Sequence, residues 1–323
     1  MSARAQMVDS LYLSSGERLL GDINSLSVGD LNFGTFHMGT VDVEWEHVTR
    51  LVSPKSWDIR TADGSHYQGW FRPTQTARHL VIATGADSIE IPMSSIVEFT
   101  HLKPGWWLRA DGLLFGGVSY QKATELTQWS AGLTFNYFVG YEHFLFKEFS
   151  LVTNQKNAAD LRIHTGELFW THGIQRRWSS GVLLGAESNN ALALDWRIKS
   201  GLVAVNRILQ QVPVSEILYG GVQANWERTT SGVRQNTAEL VLGSQFLAKG
   251  HRRELEADAD VTGYLGLTDS GRNRLSAEVN ARSKVVGAWK LGIQFRDEYD
   301  SRPAPGLDAV NDYQVGTTIS YKF

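Results

Sequence analysis

Between residues 106 and 323, apolar side chains recur at every second position, in segments set apart by short polar turns. The closing stretch shows this most cleanly. Tyr313, Val315, Thr317, Ile319, Tyr321 and Phe323 are apolar or β-branched, and Gln314, Gly316, Thr318, Ser320 and Lys322 between them are small or polar. Period two marks a strand whose two faces meet different media. The same alternation predicts strands over 106–120, 127–138, 141–153, 159–171, 178–186, 192–198, 215–228, 235–248, 252–267, 272–285 and 289–296, twelve with the last. Lys147-Glu148 and Gly166-Glu167 interrupt it, and bulges are expected there. The chain is therefore expected to be all-β, with an antiparallel transmembrane β-barrel of about twelve strands, ten being the smaller alternative, over residues 104–323.

The first hundred residues follow a different plan. Leu11-Tyr-Leu-Ser-Ser-Gly16-Glu-Arg-Leu-Leu-Gly21 is matched by Ile59-Arg-Thr-Ala-Asp-Gly64-Ser-His-Tyr-Gln-Gly69, so both glycines recur at an offset of 48. Leu19/Tyr67, Ile23/Phe71, Val41/Ile89, Val43/Ile91, Val48/Ile96 and Leu51/Phe99 recur with them. This predicts a small all-β unit present twice, at 9–53 and 57–102, within one domain spanning 9–103. Its spacing resembles small bent barrels of the Sm or SH3 type. Residues 1–8, with the small-x-small sequence Ala3-Arg-Ala5, read as a signal-peptide remnant or flexible tail.

Charge changes the picture in two places. Residues 1–104 carry 8 Lys+Arg against 12 Asp+Glu, and 105–323 carry 23 against 22, so no basic surface points to nucleic acid. In the barrel, Glu254, Glu256, Asp258 and Asp260 share one strand face, and Arg282, Lys284, Lys290 and Arg296 share the faces of the next two strands. These faces are expected to line the lumen, since a Lys or Arg facing lipid costs roughly 2–4 kcal/mol at mid-membrane. A turn near 268–270 would set Glu254 and Glu256 opposite Lys284 and Arg282. Opposite signs in register favour salt bridges filling a narrow barrel over an ion-selective lining of one sign.

An even strand count brings the start of the first strand and the end of the last to the same rim, so that if Phe323 ends at the periplasmic side the amino-terminal domain lies in the periplasm as well. Trp106, Trp107 and Trp289 fall at that rim with Tyr321 and Phe323, as an aromatic girdle requires. The 11 Trp, 10 Tyr and 14 Phe fit two such girdles. The absence of Cys excludes disulfides and thiolate metal sites, and no cofactor is expected. Outer-membrane lipid, the barrel-assembly machinery and a periplasmic protein docking on 9–103 are the expected partners.

Candidate chemistry is sparse. Asp42, Glu44, Glu46 and His47 could be pictured as metal ligands, yet Asp42 and Glu44 alternate with Val41, Val43 and Trp45 and read as the wet face of a strand. A lipase-type outer-membrane hydrolase would draw on His143, His164, His172 and Ser179, none in a nucleophile motif. A soluble all-β binding protein is the third class, opposed by the outward Trp, Leu and Phe positions. The leading expectation is a non-enzymatic barrel, structural or a narrow pore.

The segment Arg296-Asp-Glu-Tyr299-Asp300-Ser301-Arg-Pro303-Ala-Pro305-Gly306, followed by Asn311-Asp312 and a strand ending Tyr321-Lys-Phe323, resembles the salt-induced outer-membrane proteins, a family of unknown function. Residues 13–21 resemble the periplasmic module that precedes that barrel. The resemblance implies an outer-membrane barrel and no activity. It implies that Tyr321 and Phe323 serve as the assembly signal, and that Tyr299, Asp300, Pro303, Pro305 and Gly306 shape the last extracellular loop.

Overall fold

The computed structural model describes residues 8–322 apart from 28, 73, 86, 103–109, 122–125, 140, 156–158, 176, 212, 251–254 and 303–310. Residues 9–52 form β1 (Asp9–Leu13), β2 (Arg18–Ser27), β3 (Asp30–Thr35), β4 (Gly39–Glu44), a 3-10 turn at Trp45–His47 and β5 (Val48–Val52). Residues 56–101 repeat the series as β6 (Ser56–Thr61), β7 (His66–Arg72), β8 (His79–Thr84), β9 (Asp87–Pro92), a 3-10 turn at Met93–Ser95 and β10 (Ile96–His101). Pairing repeats as well: β5-β1-β2-β3-β4 in the first half and β10-β6-β7-β8-β9 in the second, joined where β10 pairs with β2.

The recurring glycines explain the recurring shape. Gly16 and Gly64 hold φ near +90° and +85°, which a turn between adjacent strands demands and a β-branched residue resists. At Gly21 and Gly69 a side chain would run into the neighbouring strand, its Cβ 2.0 Å from the Gly34 carbonyl and 2.2 Å from that of Ala83. The halves share one core, with Trp57, Phe71 and Phe99 ring against ring. Trp45 Nε1 donates to the Met93 carbonyl 2.8 Å away, one 3-10 turn holding its counterpart. Asp9, buried, accepts from the Ile23 amide at 2.7 Å and from Lys55 Nζ at 2.6 Å, so a buried carboxylate is kept paired.

The second unit is a closed antiparallel barrel. Its strands are β11 (Ala110–Gln121), β12 (Leu126–Val139), β13 (Glu142–Gln155), β14 (Leu161–Gln175), β15 (Trp178–Asn189) and β16 (Leu194–Gln211). They continue as β17 (Val214–Thr229), β18 (Arg234–Lys249), β19 (Leu255–Gly266), β20 (Asn273–Val286), β21 (Trp289–Asp300) and β22 (Asn311–Lys322). Leu113 to Gly116 pair with Lys322 to Ile319, so β22 closes the ring on β11. The start of β11 and the end of β22 share one rim, the lower rim.

Three expectations need correction. The bulges expected at Lys147-Glu148 and Gly166-Glu167 are absent: β13 and β14 pair without a shift, with Lys147 opposite Glu167 and Glu148 opposite Gly166. Bulges occur between Glu187 and Asn189 and between Lys284 and Val286. The sixth strand, expected over 192–198, runs on to Gln211. Tyr299 and Asp300, expected in the last loop, are strand residues paired with Leu275 and Arg274.

Candidate functional site in the barrel lumen

Strict alternation sends one side chain of each pair outward and the next into the lumen. Outward positions include Leu114, Trp129, Leu184, Leu202, Val222, Leu242, Ile293 and Ile319, all exposed. Inward positions in the upper half are charged and buried, and their charges chain together. Lys199 Nζ lies 2.7 Å from Glu167 and 2.9 Å from Glu187. Arg197 bridges Glu187 and Glu227, the latter at 2.7 Å. Arg272 then links Glu227, at 2.6 Å, to Asp300, which it grips with Nε and Nη2. Beside this chain Arg274 grips Glu239 with two bonds of 2.9 and 2.6 Å, and Gln223 donates to the same carboxylate. Each charge removed from water thus meets its opposite, the condition for tolerating burial.

At mid-height the two walls meet. Lys147 Nζ on β13 lies 2.6 Å from Asp260 Oδ2 on β19. Asp260 also accepts from Tyr219 Oη at 3.2 Å and Gln245 Nε2 at 3.0 Å. Arg296 stacks over the Phe149 ring, its guanidinium carbon 3.8 Å from the centroid, and lies 3.7 Å from Glu278. A small cavity remains near Phe149, Ile163, Glu187, Arg296, Glu298 and Asp312. Part of the wall from β16 to β19 is apolar, with Val203, Val205, Tyr219, Val241 and Tyr264 forming one buried cluster.

The expected charge ladder is distributed as follows. Glu256 stands opposite Arg282 in register, Asp258 opposite Asn280 and Asp260 opposite Glu278. The nearest carboxylate to Arg282 is that of Asp258, with Glu256 at 3.5 Å, and Lys290 reaches Glu256 at 3.0 Å. Lys284 faces Lys290 across the β20–β21 pair. Glu254, Trp106, Trp107, Pro303, Pro305, Gly306 and Phe323 lie outside the described residues.

Trp289 and Tyr321 are register partners on the outer face, their rings 5.1 Å apart at the lower rim. The sequence reading missed their companions Trp178 and the stacked pair Phe144/Trp170, and the opposite rim's Trp129, Trp226, Tyr299 and Tyr313. The parts of a hydrolase are scattered. Ser179 accepts from Arg207, His143 contacts Asn136 and His172 contacts Glu142. His164 Nδ1 lies 3.0 Å from the hydroxyl of Ser150, which the sequence reading did not single out, and that hydroxyl donates to Glu148 at 2.6 Å. With the Ser150 proton directed to a carboxylate and both strands paired in register, the contact lacks the oxyanion donors of acyl transfer. Glu44, Glu46 and His47 do cluster at the surface, where Glu44 and His47 pair at 3.1 Å, and Asp42 instead accepts from Asn32.

The sequence matches the family described as "Protein of unknown function, DUF481" over residues 94–323. No curated protein matches. Among solved structures the chain is similar to the NanC porin, at 9% identity over 66% of this chain and 100% of that one, with a TM-score of 0.43. It is also similar to the β domain of the Bordetella autotransporter BrkA (9%, 66% and 98%, TM-score 0.35) and to the Pseudomonas putida toluene transporter TodX (9%, 66% and 88%, TM-score 0.30). Likenesses this distant say nothing of substrate.

Proposed function

The chain belongs to this family of unknown function, which brings no activity with it, and we propose that residues 110–322 form a non-enzymatic outer-membrane barrel, structural or a narrow pore. The observation that carries this reading is the sorting of side chains from β19 to β22, with mostly apolar residues outward and polar or charged residues inward. In water the outer face would be a continuous apolar surface far beyond what a soluble monomer exposes. In lipid it is the expected solvent-facing side. The soluble binding protein and the lipase-type hydrolase are the weaker alternatives on the same grounds.

Both termini of the barrel fall at the lower rim. With that rim periplasmic, the chain enters from the periplasm, and residues 9–102 act there as a docking module related to Sm- or SH3-like units. Kinship with the salt-induced outer-membrane proteins and an assembly-signal role for Tyr321 and Phe323 belong to the same reading. The test is detergent extraction of the full chain, gel migration with and without boiling, and planar-bilayer recording. Heat-modifiable migration with no conductance or small conductance steps is expected. A band that does not shift would sink the barrel.

A further inference from the structure

At mid-depth the outer face of the barrel is charged in one place. Among the described residues, the outward positions in the middle third of the twelve strands carry a single charged side chain, Glu148 on β13. Its neighbour Lys147 points into the lumen, so strict alternation turns Glu148 toward the membrane. Two residues up the strand, the Ser150 hydroxyl donates to Glu148 Oε1 at 2.6 Å, and His164 Nδ1 on β14 lies 3.0 Å from that hydroxyl. A carboxylate, a hydroxyl and an imidazole therefore form one polar seam between β13 and β14.

Lipid tails cannot solvate such a seam, and an ionisable group at this depth is costly unless a polar group meets it. The surroundings are shaped for close approach. Glu148 stands opposite Gly166 in register and Ser150 opposite Ala131, and a Cβ placed at Gly166 would meet nothing within 4 Å. Just below, Phe146 and Leu168 are register partners and both exposed, an apolar flank to the seam. Small residues for close contact with polar groups at the centre is the combination that joins helices within membranes.

We propose that the outer face of β13 and β14 is the interface of a homodimer, two copies related by a twofold axis along the membrane normal. Rotation about the normal preserves depth, so an axis between the two strands sets β13 of each copy against β14 of the other. Each Glu148 then reaches over the bare backbone of the partner's Gly166 toward the partner's His164. The seam is its own complement: with an acid on one strand and a base on the next, the acid-to-base contact occurs twice in an isologous pair, and a second copy matches it without any other protein. Both carboxylates are withdrawn from lipid. The inference rests on the barrel reading above.

The test uses the full chain folded in detergent micelles, its mass followed by sedimentation equilibrium over a range of protein-to-detergent ratios. A monomer-to-dimer equilibrium is expected. Glu148→Leu should weaken it by about tenfold or more, the loss of one charged hydrogen bond, and Gly166→Leu should do the same by occupying the space the partner needs. Since the chain has no cysteine, Leu168→Cys supplies one thiol beside the seam and Val279→Cys one at similar depth six strands away. Oxidation in vesicles of phosphatidylethanolamine and phosphatidylglycerol should link the first into dimers and leave the second as monomers. A parent that stays monomeric, leucine variants that associate like the parent, or equal linking at the two thiols would overturn the interface. Heat-modifiable migration of the same samples separates the two failures: an unshifted band sinks the barrel and the interface together, whereas a shifted band from a monomer sinks the interface alone.

Discussion

Lys147 and Asp260 meet at 2.6 Å from strands that stand six apart in a ring of twelve, the greatest separation the ring allows. Each is the sixth residue of its strand, and both strands start at the lower rim. One ion pair therefore spans the lumen at mid-height. Lys147→Ala is expected to raise conductance in planar bilayers. Asp260 would keep Tyr219 and Gln245, and both partners are partly solvated, so the stability loss should be modest, about 1–2 kcal/mol by denaturant titration of the folded band. An unaltered conductance would place the constriction elsewhere.

Arg272 presents the opposite case. It is buried and serves both Glu227 and Asp300. Arg272→Ala would leave two buried carboxylates short of their cation, a loss of about 3–5 kcal/mol. Arg272→Lys should rescue little, because an ammonium cannot reproduce the two-bond grip on Asp300. The midpoint temperature of the heat-modifiable band, compared among the three proteins, checks both statements.

Depth in the bilayer should be readable from the outer face of the last two strands. Ile293, 59% exposed, lies near the middle of β21, and Tyr313, 68% exposed, near the upper end of β22. Ile293→Arg is expected to cost about 2–4 kcal/mol in lipid and Tyr313→Arg about 0–1 kcal/mol. Equal costs in reversible folding into vesicles would contradict a transmembrane β21.

The turn of the second repeat carries a pH dependence. Hydrogen bonds from the Thr61 hydroxyl, at 2.5 Å, and from the Ser65 amide, at 3.1 Å, hold the Asp63 carboxyl below its ordinary value of 3.8. A depressed folded-state pKa means the stabilisation is present above the unfolded-state value and is lost as pH falls through the folded one. The turn should therefore loosen only below the ordinary Asp range. An NMR titration of the Ser65 amide should show a midpoint below 3.8 in the parent, and Asp63→Asn should abolish that step.

Legibility in the sequence followed the contrast between faces. From β19 to β22, charges inward and apolar residues outward made the alternation visible, and each strand covers its expected segment closely, except that β21 runs on from 296 to Asp300. The second half of β16 was hidden because Val203 and Val205 line an apolar stretch of lumen while Leu202 and Ala204 face outward, leaving no contrast to read. At β13 the reverse held: Lys147 serves the lumen and Glu148 faces outward beside Ser150, so two polar neighbours mimicked a bulge. The pairing of Glu256 with Arg282 was legible from the hairpin. The Lys147–Asp260 contact, 113 residues apart, was not, since no local pattern encodes what lies across a lumen.

That span also bears on how such a barrel can change over evolutionary time. Barrel diameter grows with strand number, so gaining or losing one hairpin would shift the facing walls and pull Lys147 from Asp260. Barrels with water-filled interiors can absorb such a change without loss. Here the strand count is tied to side-chain reach, and any lineage that altered it would have to refit its interior at the same step.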